Sequence, residues 1–236
     1  MRKNTILAII FLFASLFCLP IIAQQESSFT PEAKTLVCTT VIEALGNIAD
    51  PQAKYVLIQG LKSKEFMIRA SAIKALLLLN DKEINEEIKP LLRKLANDEN
   101  YIIAILATKA LVELGEQDME KKLLNFLNDQ EPAVRANVIE VLGQFDEKYL
   151  PRFLEILSKD KNYIVRQKVI GVLGSNKFIP AAALIRQALD DENAQVRQAA
   201  CYAISQIEDK KAIPLLIKKL DDNDVSVRAT AKQELS

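Results

Sequence analysis

A unit of thirty-one residues recurs along the chain. Its marker is a valine and an arginine that open a small, apolar stretch, as from Val134-Arg135 to Leu142-Gly143. The pair returns every thirty-one residues, at Val165-Arg166, Val196-Arg197 and Val227-Arg228. A period of roughly 20 to 50 residues is typical of stacked repeats, because a single unit cannot bury its apolar face alone. The sequence therefore predicts a solenoid.

Earlier copies keep the apolar residue of this marker but vary the arginine. The place is called the arginine position below, and it holds Cys38, Arg69, Ala104, Arg135, Arg166, Arg197 and Arg228. The spacing is thirty-one residues throughout, except between Arg69 and Ala104, where it is thirty-five. We expect the four extra residues, around Lys82 to Glu87, to lengthen a turn between helices without disturbing the stack.

The composition favours helices over strands. Gly (6) and Pro (8) are scarce and Trp is absent, while 50% of the residues are hydrophobic. We predict an all-α fold, a right-handed α-solenoid (superhelix) of stacked antiparallel helix pairs. Residues 31–236 should form a single domain of about six to seven repeats, the last one half-length. Thr30-Pro31-Glu32 is a good start for its first helix, which should end near Ile48.

The first twenty-three residues read as a targeting segment. Arg2 and Lys3 form a basic start, the apolar run from Ile6 to Leu19 follows, and Ala23 offers a small residue for cleavage. The run is shorter than the roughly 20 residues that span a bilayer. We therefore predict a signal peptide cleaved after Ala23, then a polar lead-in at residues 24–30, and a periplasmic or secreted protein.

Two alternatives for this segment stay open. An uncleaved segment would be a membrane anchor, and Cys18 raises the possibility of a lipoprotein. The residues before it, Ser15-Leu16-Phe17, do not resemble a bacterial lipobox. Export and few cysteines fit a bacterium.

An acid stands six residues before most arginine positions, in the loop that leads into the helix. These acids are Asp98, Asp129, Asp160, Asp191 and Asp222. An arginine near a helix start is unfavourable to the helix dipole, which suggests a compensating acceptor. We expect each arginine to contact the aspartate of its own or the adjacent repeat, in a structural ladder of Arg69, Asp129, Arg135, Asp160, Arg166, Asp191, Arg197, Asp222 and Arg228. The alternative, that the arginines bind an anion, stays open.

The repeat resembles a known family. The Val-Arg pair, the Leu-Gly close and a later Ile-Pro-x-Leu, as in Ile213 to Leu216, look like HEAT repeats of the 31-residue phycocyanobilin lyase type. The resemblance covers about residues 31 to 235. It implies an armadillo-like scaffold whose second helices, here the Val-Arg helices, line a concave face that holds a partner. A bilin lyase activity is a remote alternative, and the signal segment counts against it.

Positions two and five past the arginine position should point outward on that face. With Ile105, they give our candidate partner-binding residues: Ser71, Lys74, Ile105, Leu106, Lys109, Asn137, Glu140, Lys168 and Tyr202. Their charges alternate in sign, without the basic stripe and stacking side chains that nucleic acid requires. Ile105, Leu106 and Tyr202 are the candidate anchors for a protein or peptide partner.

The inventory of residues argues against an enzyme. The chain has no histidine, which removes Ser-His and Cys-His catalysis and histidine-based metal sites. It also removes the histidine-glutamate iron motif of deoxyhypusine hydroxylases, another HEAT family. Gly-rich phosphate loops are absent. We therefore expect no catalytic residue, no metal and no cofactor.

Two functions remain. The favoured one is a non-enzymatic exported scaffold that binds a protein or peptide on its concave helical face. The alternative is a structural component of an envelope assembly, which self-associates through the solenoid ends with the C-terminal helix as the contact. Nucleic acid binding is not expected, and membrane contact is expected only through an uncleaved signal segment. Cys38 and Cys201 lie five repeats apart, too far to form a disulfide.

Overall fold

The computed structural model describes residues 30–236, and the predicted signal peptide lies outside them. This range contains thirteen α-helices and no strand. They are α1 Pro31–Ile48, α2 Lys54–Gly60, α3 Phe66–Leu79, α4 Lys82–Leu95, α5 Tyr101–Glu113, α6 Asp118–Asn125, α7 Pro132–Phe145, α8 Leu150–Lys159, α9 Tyr163–Ser175, α10 Ala182–Ala188, α11 Ala194–Gln206, α12 Ile213–Lys218 and α13 Val225–Glu234.

Odd-numbered helices carry the arginine position and are called inner helices; even-numbered ones are outer helices. Helix α1 begins and ends where the sequence predicted. Its start is fixed because the Thr30 hydroxyl accepts from the Ala33 N–H at 3.3 Å and Pro31 occupies the first turn. Helices α9 and α11 begin after Asn162 and Asn193, whose side chains accept from the N–H two residues later. The starts of α1, α9 and α11 are thus specified by capping residues in the local sequence.

One expectation about the outer helices is wrong. The four extra residues do not lengthen a turn, since only Asn80 and Asp81 separate α3 from α4. They lengthen α4, which has 14 residues against 7 in α2. The Asp81 carboxylate caps this helix at the N–H groups of Glu83 and Ile84. Ile84, Ile88 and Leu92 then bury one apolar face.

The chain divides into two compact units, the first ending at Leu123 and the second beginning at Leu124. In the first unit α1 packs on α3 and α3 on α5, while α2 and α4 pack on the inner helices α3 and α5. Its core is built from side chains buried on both layers. Among them are Ile42, Leu45, Leu57, Ile68, Leu76, Ile88, Leu92, Ile103 and Leu111.

In the second unit the inner helices α7, α9, α11 and α13 pack in that order, and α8, α10 and α12 each pack on the inner helix that follows. Glycine permits the close approach of α7 to α9: a Cβ on Gly143 would lie 2.2 Å from Cγ1 of Val172. A Cβ on Gly174 would likewise lie 2.8 Å from the Cβ of Ala203 on α11. The predicted fold class, an all-α solenoid of stacked helix pairs, is confirmed.

None of the helices found between residues 30 and 236 is both long enough and apolar enough to cross a membrane.

Candidate functional site

Three ladder arginines, Arg135, Arg166 and Arg197, each hold two successive loops of the stack. Arg166 donates from Nε to Oδ2 of Asp191 and from Nη2 to Oδ1, both at 2.8 Å. Its Nη1 donates to the backbone carbonyls of Asp160 and Lys161, at 3.1 and 3.0 Å. The guanidinium therefore ties the loop before its own helix to the loop of the next repeat. Arg135 repeats these contacts with Asp160, and Arg197 with Asp222.

The aspartate that binds the arginine also contacts the start of the inner helix that follows it. Oδ1 of Asp191 accepts from the N–H of Asn193 at 2.9 Å, and Oδ1 of Asn193 accepts from the N–H of Gln195 at 2.9 Å. Asp160 and Asn162 make the same two contacts. Sequence reasoning missed this link, although an asparagine two residues after the aspartate signals it.

Two rungs differ from the others. Arg69 reaches Asp98 with Nη2 alone, at 2.9 Å, and its buried Nε has no hydrogen-bond partner. The lengthened α4 separates this pair by 29 residues rather than 25. Arg228 donates to the backbone carbonyls of Asp222 and Asn223. The Asp129 carboxylate accepts from the backbone N–H of Glu131.

Two carboxyl groups of the ladder have lowered pKa values. The hydrogen bond from Arg197 lowers the pKa of Asp222 to about 2. Burial raises the pKa of Asp160, but the hydrogen bonds from Arg135 and from the N–H of Asn162 outweigh it and hold this pKa below its usual value. Carboxylates of this kind do not exchange protons near neutral pH, so the ladder has a structural role.

A cavity of about 420 Å³ lies across the inner helices α7, α9 and α11, and it is called the inner groove. It is lined by Glu140, Gly143, Gln144, Ile164, Gln167, Lys168, Gly171, Val172, Ser175, Asn176, Ala199 and Tyr202. Its one described cation, Lys168, donates from Nζ to Oε2 of Glu140 at 2.6 Å. Ile164 and Tyr202 expose 43% and 48% of their surface. The groove is thus a neutral surface with two exposed apolar side chains.

The groove continues past Tyr202 into a second depression of about 230 Å³. Its lining combines residues of α9, α11 and α13, namely Gln167, Gln198, Ala199, Tyr202, Thr230, Gln233 and Glu234. Gln198 donates to the Thr230 hydroxyl at 3.1 Å, and the Ser205 hydroxyl donates to the Glu234 carboxylate. Tyr202 stands between the two depressions and contributes to both.

Three of the predicted partner-binding residues of the second unit come together here. Glu140, Lys168 and Tyr202 line the inner groove. The fourth, Asn137, lies outside the lining, and its Nδ2 donates to the carbonyl of Ala133 in its own helix at 2.8 Å. Ile164 and Gln167 line the groove but were not predicted. An apolar residue at the exposed start of an inner helix was the available signal for Ile164.

In the first unit, two of the predicted surface residues need correction. Ser71 is buried and donates to the Glu43 carboxylate on the neighbouring inner helix. Ile105 is also buried, at 1% exposure. It lies one position past the arginine position, where the buried Ala136 of α7 stands in the next copy. This position faces along the stack rather than into a groove.

The other predicted residues of the first unit are accessible to different degrees. Leu106 is half-buried and packs against the core. Lys74 is exposed, and Lys109 pairs with Glu113 at 2.5 Å along its own helix. None of these three side chains lines the inner groove or the depression beside it.

A larger cavity, of about 470 Å³, lies beside helix α8. Its lining includes the ladder residues Arg135 and Asp160, which already satisfy each other. Lys159 and Glu155 at its rim form an i,i+4 pair with both side chains more than 70% exposed. The polar groups at this cavity are therefore already paired with one another, whereas the inner groove also exposes Ile164 and Tyr202, so the inner groove is the candidate site.

The described residues offer little for catalysis or metal binding. Between residues 30 and 236 no three Cys, Asp or Glu side chains are placed to hold one metal ion. Cys38 and Cys201 are both buried, and burial raises the pKa of the Cys201 thiol to about 11. A protonated, inaccessible thiol is a poor nucleophile.

Comparison with known proteins identifies the repeat. The model for HEAT repeats matches residues 88–151 and 150–236, more than half of the chain. Human deoxyhypusine hydroxylase in complex with glycerol is similar at 20% identity and a TM-score of 0.43, over 96% of this chain and 87% of that one. A designed armadillo repeat protein is similar at 19% identity and a TM-score of 0.30, over 92% and 98%. No curated protein matches. Neither structural likeness carries an argument about activity.

Proposed function

The chain belongs to the HEAT-repeat family, and from that premise we propose that it is an exported, non-enzymatic scaffold that binds another protein in the inner groove. The observation that carries the proposal is the groove itself, with Tyr202 exposed between two depressions. Tyrosine is enriched among the side chains that dominate binding energy at protein interfaces. An exposed aromatic side chain in a concave surface is a natural anchor for a partner.

The electrostatics of the groove favour a protein over a nucleic acid. Lys168, its cation, is already paired with Glu140. Nucleic acid binding relies on several unpaired Lys or Arg side chains that neutralise phosphates. A neutral, amide-rich surface is better matched to a protein with few charges at the contact.

Three features support a non-enzymatic role. The chain has no histidine, its two described thiols are buried, and the pKa values of the Asp160 and Asp222 carboxyl groups are lowered by Arg135 and Arg197. Groups of this kind do not supply a general base or a nucleophile near neutral pH.

Export is supported by the N-terminal sequence. Arg2 and Lys3 precede an apolar run that is too short to span a bilayer comfortably and is followed by Ala23. We propose a periplasmic or secreted protein on this ground.

Affinity capture from the envelope fraction of the producing cell tests the scaffold role. The full chain should retain a protein partner that Tyr202→Ala loses. Tyr55→Ala is the matched control, because Tyr55 is exposed on the outer helix α2 and lies outside the groove lining. Equal capture by all three chains, or loss with Tyr55→Ala instead, would place binding elsewhere.

A second role, self-association within an envelope assembly, is favoured by one surface. Ile213 and Ile217 on α12 and Leu220 just after it follow i, i+4 and i+7 spacing, and all three are exposed. Such a stripe can pack against a second copy. Sedimentation velocity at increasing concentration should show a dimer that Ile217→Glu abolishes; a monomer at all concentrations would remove this role.

A further inference from the structure

Gly171 is a glycine that the fold does not require. A Cβ added to it would meet nothing within 4 Å, and its φ is not in the positive range. The other glycines of the inner helices in this unit, Gly143 and Gly174, are needed for close helix packing. Glycine in the middle of a helix costs stability relative to alanine. Neither packing nor backbone conformation requires a glycine at position 171, and the space that its side chain would occupy is open.

That space is a notch in the inner groove. Gly171 lies five residues past Arg166, and the equivalent positions of the neighbouring inner helices carry the side chains of Glu140 and Tyr202. Because Gly171 has no side chain, a gap is left between the side chains of Glu140 and Tyr202. Ile164, Lys168 and Val172 of the same helix also line the groove. The cavity around the notch is therefore lined in part by the apolar side chains of Ile164 and Val172 and by the ring of Tyr202.

We propose, on the basis of the proposed function, that the notch over Gly171 receives one bulky apolar side chain from an extended, uncharged segment of the partner protein. Ile164, Val172 and the ring of Tyr202 supply apolar contact for this side chain. A charged side chain there would lose hydration without gaining a free counter-ion, because Lys168 and Glu140 already pair with each other.

The form of the groove favours an extended segment. Its two depressions share Gln167, Ala199 and Tyr202, so one occupant can run across α7 to α13. Packed helices lie about 8–10 Å apart, and an extended chain rises about 3.3 Å per residue. The anchor side chain and the group that meets the second depression are therefore about three residues apart.

Amide side chains along the groove suit the backbone of such a segment. Gln144 and Gln167 line the cavity of about 420 Å³, and Gln167 and Gln233 line the second depression. A carboxamide both donates and accepts hydrogen bonds, which matches the alternating N–H and C=O groups of a peptide. The amide side chains would bind the backbone of the segment and so contribute affinity. The notch would bind one side chain and so contribute selectivity.

Selection from a random twelve-residue peptide display library tests the proposal. The full chain is the target and its Gly171→Met variant the counter-target, since methionine fills the notch. Enriched peptides should share one Leu, Ile, Met or Phe, and its replacement by alanine should weaken binding measured by fluorescence anisotropy at least tenfold, or about 1.4 kcal/mol. Gly171→Met should weaken the same peptides at least tenfold, and Gly171→Ala to a smaller extent.

The stability of the variants separates binding from folding. Gly171→Ala should raise the melting temperature by about 1–3 °C, because alanine favours the helix and meets no neighbour. Weaker peptide binding by a more stable chain cannot come from misfolding. A lowered melting temperature would instead mean that Gly171 serves the fold.

The outcomes distinguish the notch from the groove. If no peptide is enriched, or if the enriched peptides bind Gly171→Met and the parent chain equally, the notch proposal is overturned. An envelope partner that Tyr202→Ala loses but Gly171→Met retains would overturn the notch and keep the groove. A partner that neither variant loses would remove both.

Discussion

The guanidinium of Arg197 and the carboxylate of Asp222 form two parallel hydrogen bonds, at 2.9 and 2.8 Å, although 25 residues separate them in the chain. The same arginine donates to the backbone carbonyl of Asp191 in its own loop. Both side chains of the pair are largely buried. Such forked, shielded contacts are stronger than ordinary surface ion pairs, so Arg135, Arg166 and Arg197 each fix one repeat of the second unit on the next.

The ladder predicts a difference between two arginines. Arg197→Met removes the contact with Asp222 and leaves that carboxylate buried, and we expect it to lower the free energy of unfolding by about 2–3 kcal/mol. Arg228→Met is the matched control, because Arg228 contacts only loop carbonyls, and its cost should be about 1 kcal/mol. Urea unfolding measures both. Equal costs would mean that the interrepeat contact contributes nothing.

The pKa of Asp222 predicts an acid-sensitive part of stability. Folding lowers this pKa from about 3.9 to about 2, so the charged carboxylate stabilises the fold fully above about pH 4 and loses its effect as the pH falls through 2. The difference in free energy of unfolding between the parent chain and Asp222→Asn should therefore shrink by about 2 kcal/mol from pH 6 to pH 2. A constant difference across this range would contradict the assigned contact.

Two glycines of the second unit should respond to alanine with opposite signs. Gly143→Ala places a Cβ 2.2 Å from Cγ1 of Val172 and should cost about 1–3 kcal/mol, of which Val172→Ala in the same chain recovers part. Gly171→Ala should stabilise the chain. Thermal unfolding compares them. A Gly143→Ala variant that keeps its stability would contradict the close approach of α7 to α9, and a destabilised Gly171→Ala would mean that Gly171 serves the fold.

The N-terminal segment gives a prediction that does not depend on the fold. If residues 1–23 are a signal peptide, the chain recovered from the envelope or medium should begin at Gln24. N-terminal sequencing or intact mass measures this directly. A chain that retains Met1 or Arg2 in the membrane fraction would indicate an anchor, and lipidation of Cys18 would indicate a lipoprotein.

The thirty-one-residue period was enough to predict the fold. The coincidence of arginines with aspartates could be read from the period because it fixes which residues share a register, and the start at Pro31 could be read from the Thr30-Pro31-Glu32 cap. The carboxylate that each arginine binds could not be predicted from the period. The guanidinium of Arg166 binds the carboxylate of Asp191 but only the backbone carbonyl of Asp160, and this choice depends on how neighbouring helices pack.

Side-chain direction was the weaker part of the prediction. Ser71 and Ile105 were placed on the surface because register alone does not give the rotation of an inner helix toward its neighbour. The length of α4 was missed because Lys82 to Glu87 is polar, although Ile84 and Ile88 continue a helical face. The distinction between Gly143 and Gly171 also required the structure, since only the distance to the next helix separates a packing glycine from an open one.

Site-specific photocrosslinking in the producing cell tests the central claim most directly. A photoreactive phenylalanine analogue replaces either Tyr202 in the inner groove or Tyr55 on α2, both exposed aromatic positions. We predict that position 202 crosslinks to one envelope protein in a band that is absent at position 55. A band at position 55 alone, or the same band at both positions, would contradict the inner groove as the binding site.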